Sequence, residues 1–342
     1  LVGIALSDQV TGSQVGGSEA WQGNLISGQE RGIEITHRGT DENSIIGNRI
    51  GTDADGLEAL ASGDVGVFLV SGPAYNEIDG NLIAGFDMAS GFAVILQNAP
   101  QPGMVGNKIT ENSIGTDWHG QHAIPNSGGI LLIAGPSSTI VGNNTVAGNL
   151  YNGVELLDTT TVDNQVRGNR IGVASDGVTP LPNGWNGLII VDARQNTVGP
   201  ANTIVHNAGA GVSIGETLAF GNTITENAIF ANKEGQITFF GAVAAPPSPA
   251  VLALDGSTLS GSACSLCLVE LFANRSGHPA AESYLGSTAA SSTGVFTFTL
   301  ADTPSYVVAT STDGEGTTSA FSDAFRAVDL MDVYLPLVCR MP

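Results

Sequence analysis

Asp158, Asp192 and Glu216 each stand five residues beyond a glycine that opens an apolar run, at Gly153, Gly187 and Gly211. If those runs are strands lying one above another, the three acids form a column with about 5 Å between neighbours. Carboxylates that close repel one another unless they are solvated, protonated or bridged by a cation. Three readings follow, in this order: acids that cap turns, a calcium site with oxygen ligands, and a catalytic group. Arg194 is the alternative counter-charge to calcium. No other cofactor is called for.

Further acids and histidines fall in three longer connections, beginning IGTDADG at Ile50, IGTDWHG at Ile114 and IGVASDG at Ile171. They supply Asp53 and Asp55, then Asp117, His119 and His122, then Asp176. Asp117-x-His119-x-x-His122 has metal-capable groups but lacks a fourth ligand, and Asp before Gly is ordinary turn chemistry. Trp118 and Trp185, in or beside these connections, are the natural stacking platforms for a sugar ring. Glu34 and Glu155 share a column two residues past glycine but lie four coils apart. That is about 19 Å, beyond the carboxylate spacing of either class of glycosidase. The rest of that column is read as Phe68, Ala93, Leu131, Ile189 and Ser213, of which Phe68, Leu131 and Ile189 make an apolar stripe that needs cover from the long loops or another protein. Cys264-x-x-Cys267 precedes a strand, which favours a local disulfide over a redox pair, and Cys339 is left over.

These residues are positioned by a repeat. Glycine followed by alternating apolar residues recurs as GIEITH at Gly32, GVFLVS at Gly66, GFAVIL at Gly91, GILLIA at Gly129, GVELLD at Gly153, GLIIVD at Gly187, GVSIGE at Gly211 and GQITFF at Gly235. Steps of 24 residues, as from Gly129 to Gly153, fit one turn of a three-sided β-coil. Ahead of most of these strands comes a pair of asparagines five residues apart, such as Asn43 and Asn48, Asn164 and Asn169, or Asn222 and Asn227. Stacked coils set equivalent asparagines about 4.8 Å apart, where their amides bond along the column. The connection from the second asparagine alternates between short and long, so the true unit is a double coil whose long loops protrude about 9.6 Å apart.

AVAAPPSP at 242–249 ends the repeat and reads as a stiff linker, so residues 1–241 form one domain. Residues 250–327 alternate as an antiparallel sandwich of about seven strands. Residues 328–342 are an apolar tail containing Val333, Tyr334, Leu335, Leu337 and Val338. The fold expected is all-β: a parallel β-helix of about nine coils, then a small sandwich. The chain opens directly on Leu1-Val2-Gly3-Ile4-Ala5-Leu6, read as a processed or truncated end.

Eleven basic residues against 32 acidic ones leave a net charge of −21, which repels phosphate backbones and excludes nucleic acid as a partner. No apolar run is long enough to span a membrane as a helix. On the motifs above, the first domain resembles secreted bacterial right-handed parallel β-helix repeat proteins of pectate-lyase-like architecture. CSLCLVELFAN from Cys264, YLGSTAASSTGVFTFTL from Tyr284 and VVATSTDGEGTTSAFS from Val307 resemble a small immunoglobulin-like module. VYLPLVCR at Val333 looks like a C-terminal tail of exported proteins from filamentous green bacteria. The resemblance implies a fold and export, to the extracellular space or cell surface, and not an activity.

The function expected is therefore a non-enzymatic structural protein of the surface or matrix. It would self-associate head to tail through Val333, Tyr334, Leu335, Leu337 and Val338 into filaments. The alternatives are a polysaccharide-active lyase or hydrolase, and a calcium-dependent glycan-binding protein.

Overall fold

The computed structural model describes residues 1–19, 22–60, 63–89, 91–98 and 103–327. Three parallel sheets of nine, eight and eight strands wrap one core as the sides of a parallel β-helix. The first sheet runs from Val2–Leu6 to Ile237–Phe240, the second from Gln14–Gly16 to Thr223–Ile224, and the third from Leu25–Ile26 to Ala228–Phe230.

Register follows from apolar columns. In the third sheet Ile26, Ile50, Ile83, Ile114, Val146, Ile171, Ile204 and Ile229 pair coil on coil. In the second, Val15, Ile45, Ile78, Ile109, Val141, Val166, Val198 and Ile224 do the same. All are buried in one continuous core. Sliding a strand by one residue would turn its aliphatic side chain outward, at about 1.5–3 kcal/mol for each one lost, so the stack admits one register.

The recurring glycine answers to close approach. A Cβ on Gly32, Gly66, Gly129, Gly153, Gly187 or Gly211 would meet a carbonyl oxygen of the next coil at 2.2–2.8 Å. Two expected rungs shift on this account. Phe92 pairs with Val65 and Gly128, so Ala93 occupies the glycine rung and Ile95, not Ala93, belongs to the outer column. Ile237 pairs with Val212, so Gln236 takes the rung expected for Gly235.

Asparagine files run along the corners. Asn24, Asn48, Asn81, Asn112, Asn144, Asn169, Asn202 and Asn227 form one, each amide oxygen accepting from the Nδ2 of the residue before it in the file at 2.8–3.0 Å. Most of the same oxygens also accept the preceding rung's backbone N–H at 2.9–3.2 Å, which satisfies a buried turn that water does not reach. Asn43, Asn76 and Asn107 begin a second file, and Asn164, Asn196 and Asn222 resume it after Thr139.

Beyond the coils come antiparallel sheets of three and four strands. They do not stand apart on the linker. Phe272, Ala281, Val308 and Phe321 belong to the same buried cluster as the coils. Ala281 and Ile229 exchange both backbone hydrogen bonds, at 2.8 and 2.9 Å, across the last strand of the third sheet. Thr317 and Thr318 hydroxyls accept from Gly221 N and Ile224 N at the last strand of the second sheet. The C-terminal unit thus caps the edges that stacking leaves open. The apolar tail, 328–342, lies outside the described residues.

Candidate functional site

The three long connections are β-hairpins, closed by antiparallel bridges Thr52–Ala59, Thr116–Ala123 and Val173–Pro180. An aspartate organises each. Asp53 Oδ1 accepts from Leu57 N and Glu58 N, and these bonds hold its carboxyl below the ordinary range. Asp176 accepts from the Thr179 hydroxyl and the backbone N–H groups of Thr179 and Val178, to the same effect. Burial raises Asp117, but hydrogen bonds from Gln121 N and from His122, whose Nδ1 lies 2.8 Å away, outweigh it and leave the carboxyl lowered. Asp53, Asp117 and Asp176 are turn caps.

A hairpin is two chains thick, so each spans the height of two coils, about 9.6 Å, and rests on the next. Trp118 N donates to Gly56 O at 2.9 Å, and Ser175 N to Gly120 O at 2.9 Å. Gln121 Nε2 reaches Ser175 Oγ at 2.7 Å. This explains the double-coil period: the intervening coil must keep its connection short.

Where the hairpin column meets the corner between the second and third sheets it walls a groove of about 490 Å³. Ala54 and Trp118 form one side and Ser18, Glu19 and Leu25 line it as well, with Arg49 and Asp79 among the remaining residues. Arg49 projects from the third sheet and stacks on Trp118, its guanidinium carbon 4.5 Å from the ring centroid. Its Nε is buried and has no partner among the described residues. Asp79 is held by the Thr110 hydroxyl at 2.6 Å. Trp118 remains 39% exposed, so the stack offers indole surface to the groove.

The acid column is in register as expected: Leu156 pairs with Ile190 and Val191 with Gly215, which aligns Asp158, Asp192 and Glu216 on successive coils. All three adopt the left-handed conformation, with φ of 81°, 55° and 68°. Asp158 Oδ1 is engaged by Thr160 N and Oγ1, and Asp192 Oδ1 by Leu218 N. The carboxylates of Asp158 and Asp192 serve turns rather than a shared point. Among the described residues no group of three or more His, Cys, Asp or Glu could hold a metal ion. Arg194 stacks on Phe220, 5.6 Å away, instead of facing the column.

Trp185 lies at another corner, 56% exposed and packed on Tyr151. The outer stripe is covered at Phe68 by Arg31, 4.8 Å from the ring and ion-paired to Glu34, rather than by a long loop. Half-buried Glu155 sits between Leu131 and Ile189, and burial raises its pKa despite a bond from Asn152 Nδ2. Cys264 and Cys267 are joined as a disulfide. Val333, Tyr334, Leu335, Leu337 and Val338 lie outside the described residues.

Two functional groups have no sequence signature. Arg49 is an ordinary outward residue of a short strand until a hairpin two coils away folds over it. Glu270 is 2% exposed and faces the last coil from the cap. Burial pushes its pKa up to about 7, against a bond from Thr225 Oγ1 at 2.8 Å and with Glu226 adding repulsion. Its Oε2 and the hydroxyl of Thr310, its cross-strand neighbour, are buried without partners among the described residues.

Residues 116–237 match the family described as periplasmic copper-binding protein (NosD). No curated protein matches the sequence. Among solved structures, the periplasmic alginate epimerase AlgG is 13% identical with a TM-score of 0.45, covering 63% of this chain and 48% of its own. Tailspike protein gp49 from Acinetobacter baumannii bacteriophage Fri1, a capsular polysaccharide depolymerase, is 9% identical with a TM-score of 0.35, over 89% and 68%. The enzymatically active domain of bacteriophage CBA120 tailspike protein 2 is 10% identical with a TM-score of 0.36, over 95% and 72%. The chain spans about half the length of the epimerase. At these identities the likeness is one of fold, a parallel β-helix. The expected non-enzymatic filament protein is not what these neighbours are named as: their own descriptions are of an epimerase, a depolymerase and an enzymatically active tailspike domain.

Proposed function

We propose that the chain recognises a neutral polysaccharide outside the cytoplasm, in the groove formed by the hairpin column and the segment bearing Ser18 and Glu19. The carrying observation is the Arg49–Trp118 stack. A rigid indole presents an apolar face to a pyranose ring, Arg49 donates to hydroxyls, and Glu19 and Asp79 accept from them. Charge decides the class of polymer. A net charge of −21 opposes a polyanion, and the groove itself has one arginine against two carboxylates. The periplasmic description of the matching family and the Cys264–Cys267 disulfide support a place outside the cytoplasm.

A second reading, cleavage of the bound chain, is favoured by the presence of Glu19 and Asp79 in one groove, the two-carboxylate complement of a glycosidase. Affinity electrophoresis through gels containing glucan, mannan, galactan, alginate or pectate tests the binding. Retardation is expected in at least one neutral gel and lost in Trp118→Ala; no retardation in any neutral gel, or retardation of the variant equal to that of the parent, overturns it. Release of reducing ends that disappears in both Glu19→Gln and Asp79→Asn would establish cleavage.

A further inference from the structure

Five residues at the corner between the third and first sheets stand in file. Tyr151 N donates to Ser127 O at 2.7 Å, Trp185 N to Tyr151 O at 3.1 Å, Gly209 N to Trp185 O at 2.7 Å and Glu234 N to Gly209 O at 3.1 Å. Each step is one coil, so Trp185 and Glu234 are about 9.6 Å apart along the stack, with only a glycine between them. On the other side the indole is braced by Tyr151, ring centroids 4.7 Å apart and planes at 54°. The result is a notch of about 240 Å³ lined by Gly184, Trp185, Asn186, Ala208, Gly209 and Glu234.

Gly209 has a structural reason of its own, since a Cβ there would lie 2.8 Å from Asn186 Oδ1 and 2.9 Å from the carbonyl carbon of Trp185. That explains the glycine. It does not explain a tryptophan held rigid by one neighbour yet 56% exposed, with a carboxylate two coils away across the gap. The volume falls below the roughly 300–1,000 Å³ of sites that enclose drug-sized ligands, so it suits one ring and not a run of them. An aromatic wall facing a hydrogen-bond acceptor is the complement of a pyranose, which has an apolar face and a rim of hydroxyl donors. Among the described residues no cation lines the notch, which disfavours a uronate.

We infer that this notch binds a single neutral pyranose unit, a chain end or a side branch, with the ring stacked on Trp185 and its hydroxyls donating to Glu234. The site is separate from the Arg49–Trp118 groove and shares no lining residue with it.

Saturation-transfer NMR on the full chain with the methyl glycosides of glucose, galactose and mannose tests it. With the groove silenced by Trp118→Ala as the background for every sample, transfer to at least one is expected, abolished by Trp185→Ala and weakened on the order of ten-fold by Glu234→Ala. Glu234 is exposed, so its removal leaves the fold intact and guards against a Trp185 variant that merely disturbs the corner. No transfer with any of the three glycosides, transfer that survives Trp185→Ala, or transfer unchanged in Glu234→Ala overturns the inference. Transfer that depends on Trp185 while polysaccharide gels show no retardation would sustain this site and sink the groove.

Discussion

The guanidinium of Arg49 and the indole of Trp118 come from units two coils apart, and their centres close to 4.5 Å. The stack needs both a planar cation and a hairpin tall enough to bridge an intervening coil. Arg49→Lys keeps the charge but not the flat surface. Weakening of polysaccharide retention on the order of ten-fold is expected, with Arg49→Gln no worse than the lysine variant by more than about two-fold. Retention by Arg49→Lys equal to that of the parent would show that charge alone matters.

Glu270 makes stability depend on pH. Its folded pKa is about 7 against an ordinary 4.5, so between those values the native state keeps a proton that the unfolded chain has released. Stability therefore falls as pH rises from about 4.5 through 7 and is flat above, by on the order of 3 kcal/mol in all. Urea midpoints taken at roughly pH 5 and pH 8 should differ in that sense, and Glu270→Gln should remove most of the difference. A midpoint that rises with pH in the parent but not in the variant would refute the assignment.

Thr139 interrupts the second asparagine file. Its backbone N–H uses Asn164 Oδ1 at 3.0 Å, but its hydroxyl is buried without a partner among the described residues and the rung offers Asn107 no amide oxygen. Thr139→Asn should complete the file and raise stability by about 1 kcal/mol. The opposite change at an intact rung, Asn169→Ala, strands Asn144 N, leaves Asn144 Nδ2 with only its bond to Ile109 O and should cost about 2–4 kcal/mol. Thermal melts of the two variants should move in opposite directions; a Thr139→Asn protein that melts lower than the parent would mean the rung is too tight for the amide.

Because Asp158 and Asp192 spend their carboxylates on turns, chelation should leave the melting temperature unchanged. Asp192→Asn keeps an acceptor for Leu218 N and should be nearly silent, whereas Asp192→Ala should cost about 1 kcal/mol. A fall in melting temperature on adding a chelator, absent from Asp192→Asn, would restore the cation site.

The fold could be read from the chain because its determinants are local and repeated. Ile, Val and Asn recur at fixed offsets such as Ile45–Asn48–Ile50 and Val166–Asn169–Ile171, and each coil repeats the same instruction. Where the glycine stands two residues ahead of its rung, as in GFAVIL, the glycine alone misplaces it, since the register follows the buried aliphatics and puts Phe92 against Val65. The site was half legible. Trp118 and Trp185 stood out by type and by the loops they occupy, and the acid column was found with its register right. Turn capping is the first reading of that column, and Asp158 accepts from Thr160 of its own turn, whereas Asp192 accepts from Leu218 N on the next coil, a partner that no local spacing marks. Arg49, Glu234 and Glu270 owe their surroundings to residues from other coils or from the cap, so no spacing along the chain marks them.

The hairpins impose parity on the coil stack. With each one filling two storeys, deleting a single coil would press one hairpin into the next, and inserting one would leave a gap at the height of Trp118. Lengthening or shortening by recombination is tolerated only in even numbers of coils, as long as hairpins are present. After the third hairpin the connection at Ala231–Gln236 stays short where a fourth was due, and the C-terminal unit pairs with the last coil through Ala281 and Ile229. A lineage of such proteins should therefore differ in length by whole pairs of coils, with odd changes confined to the end under the cap.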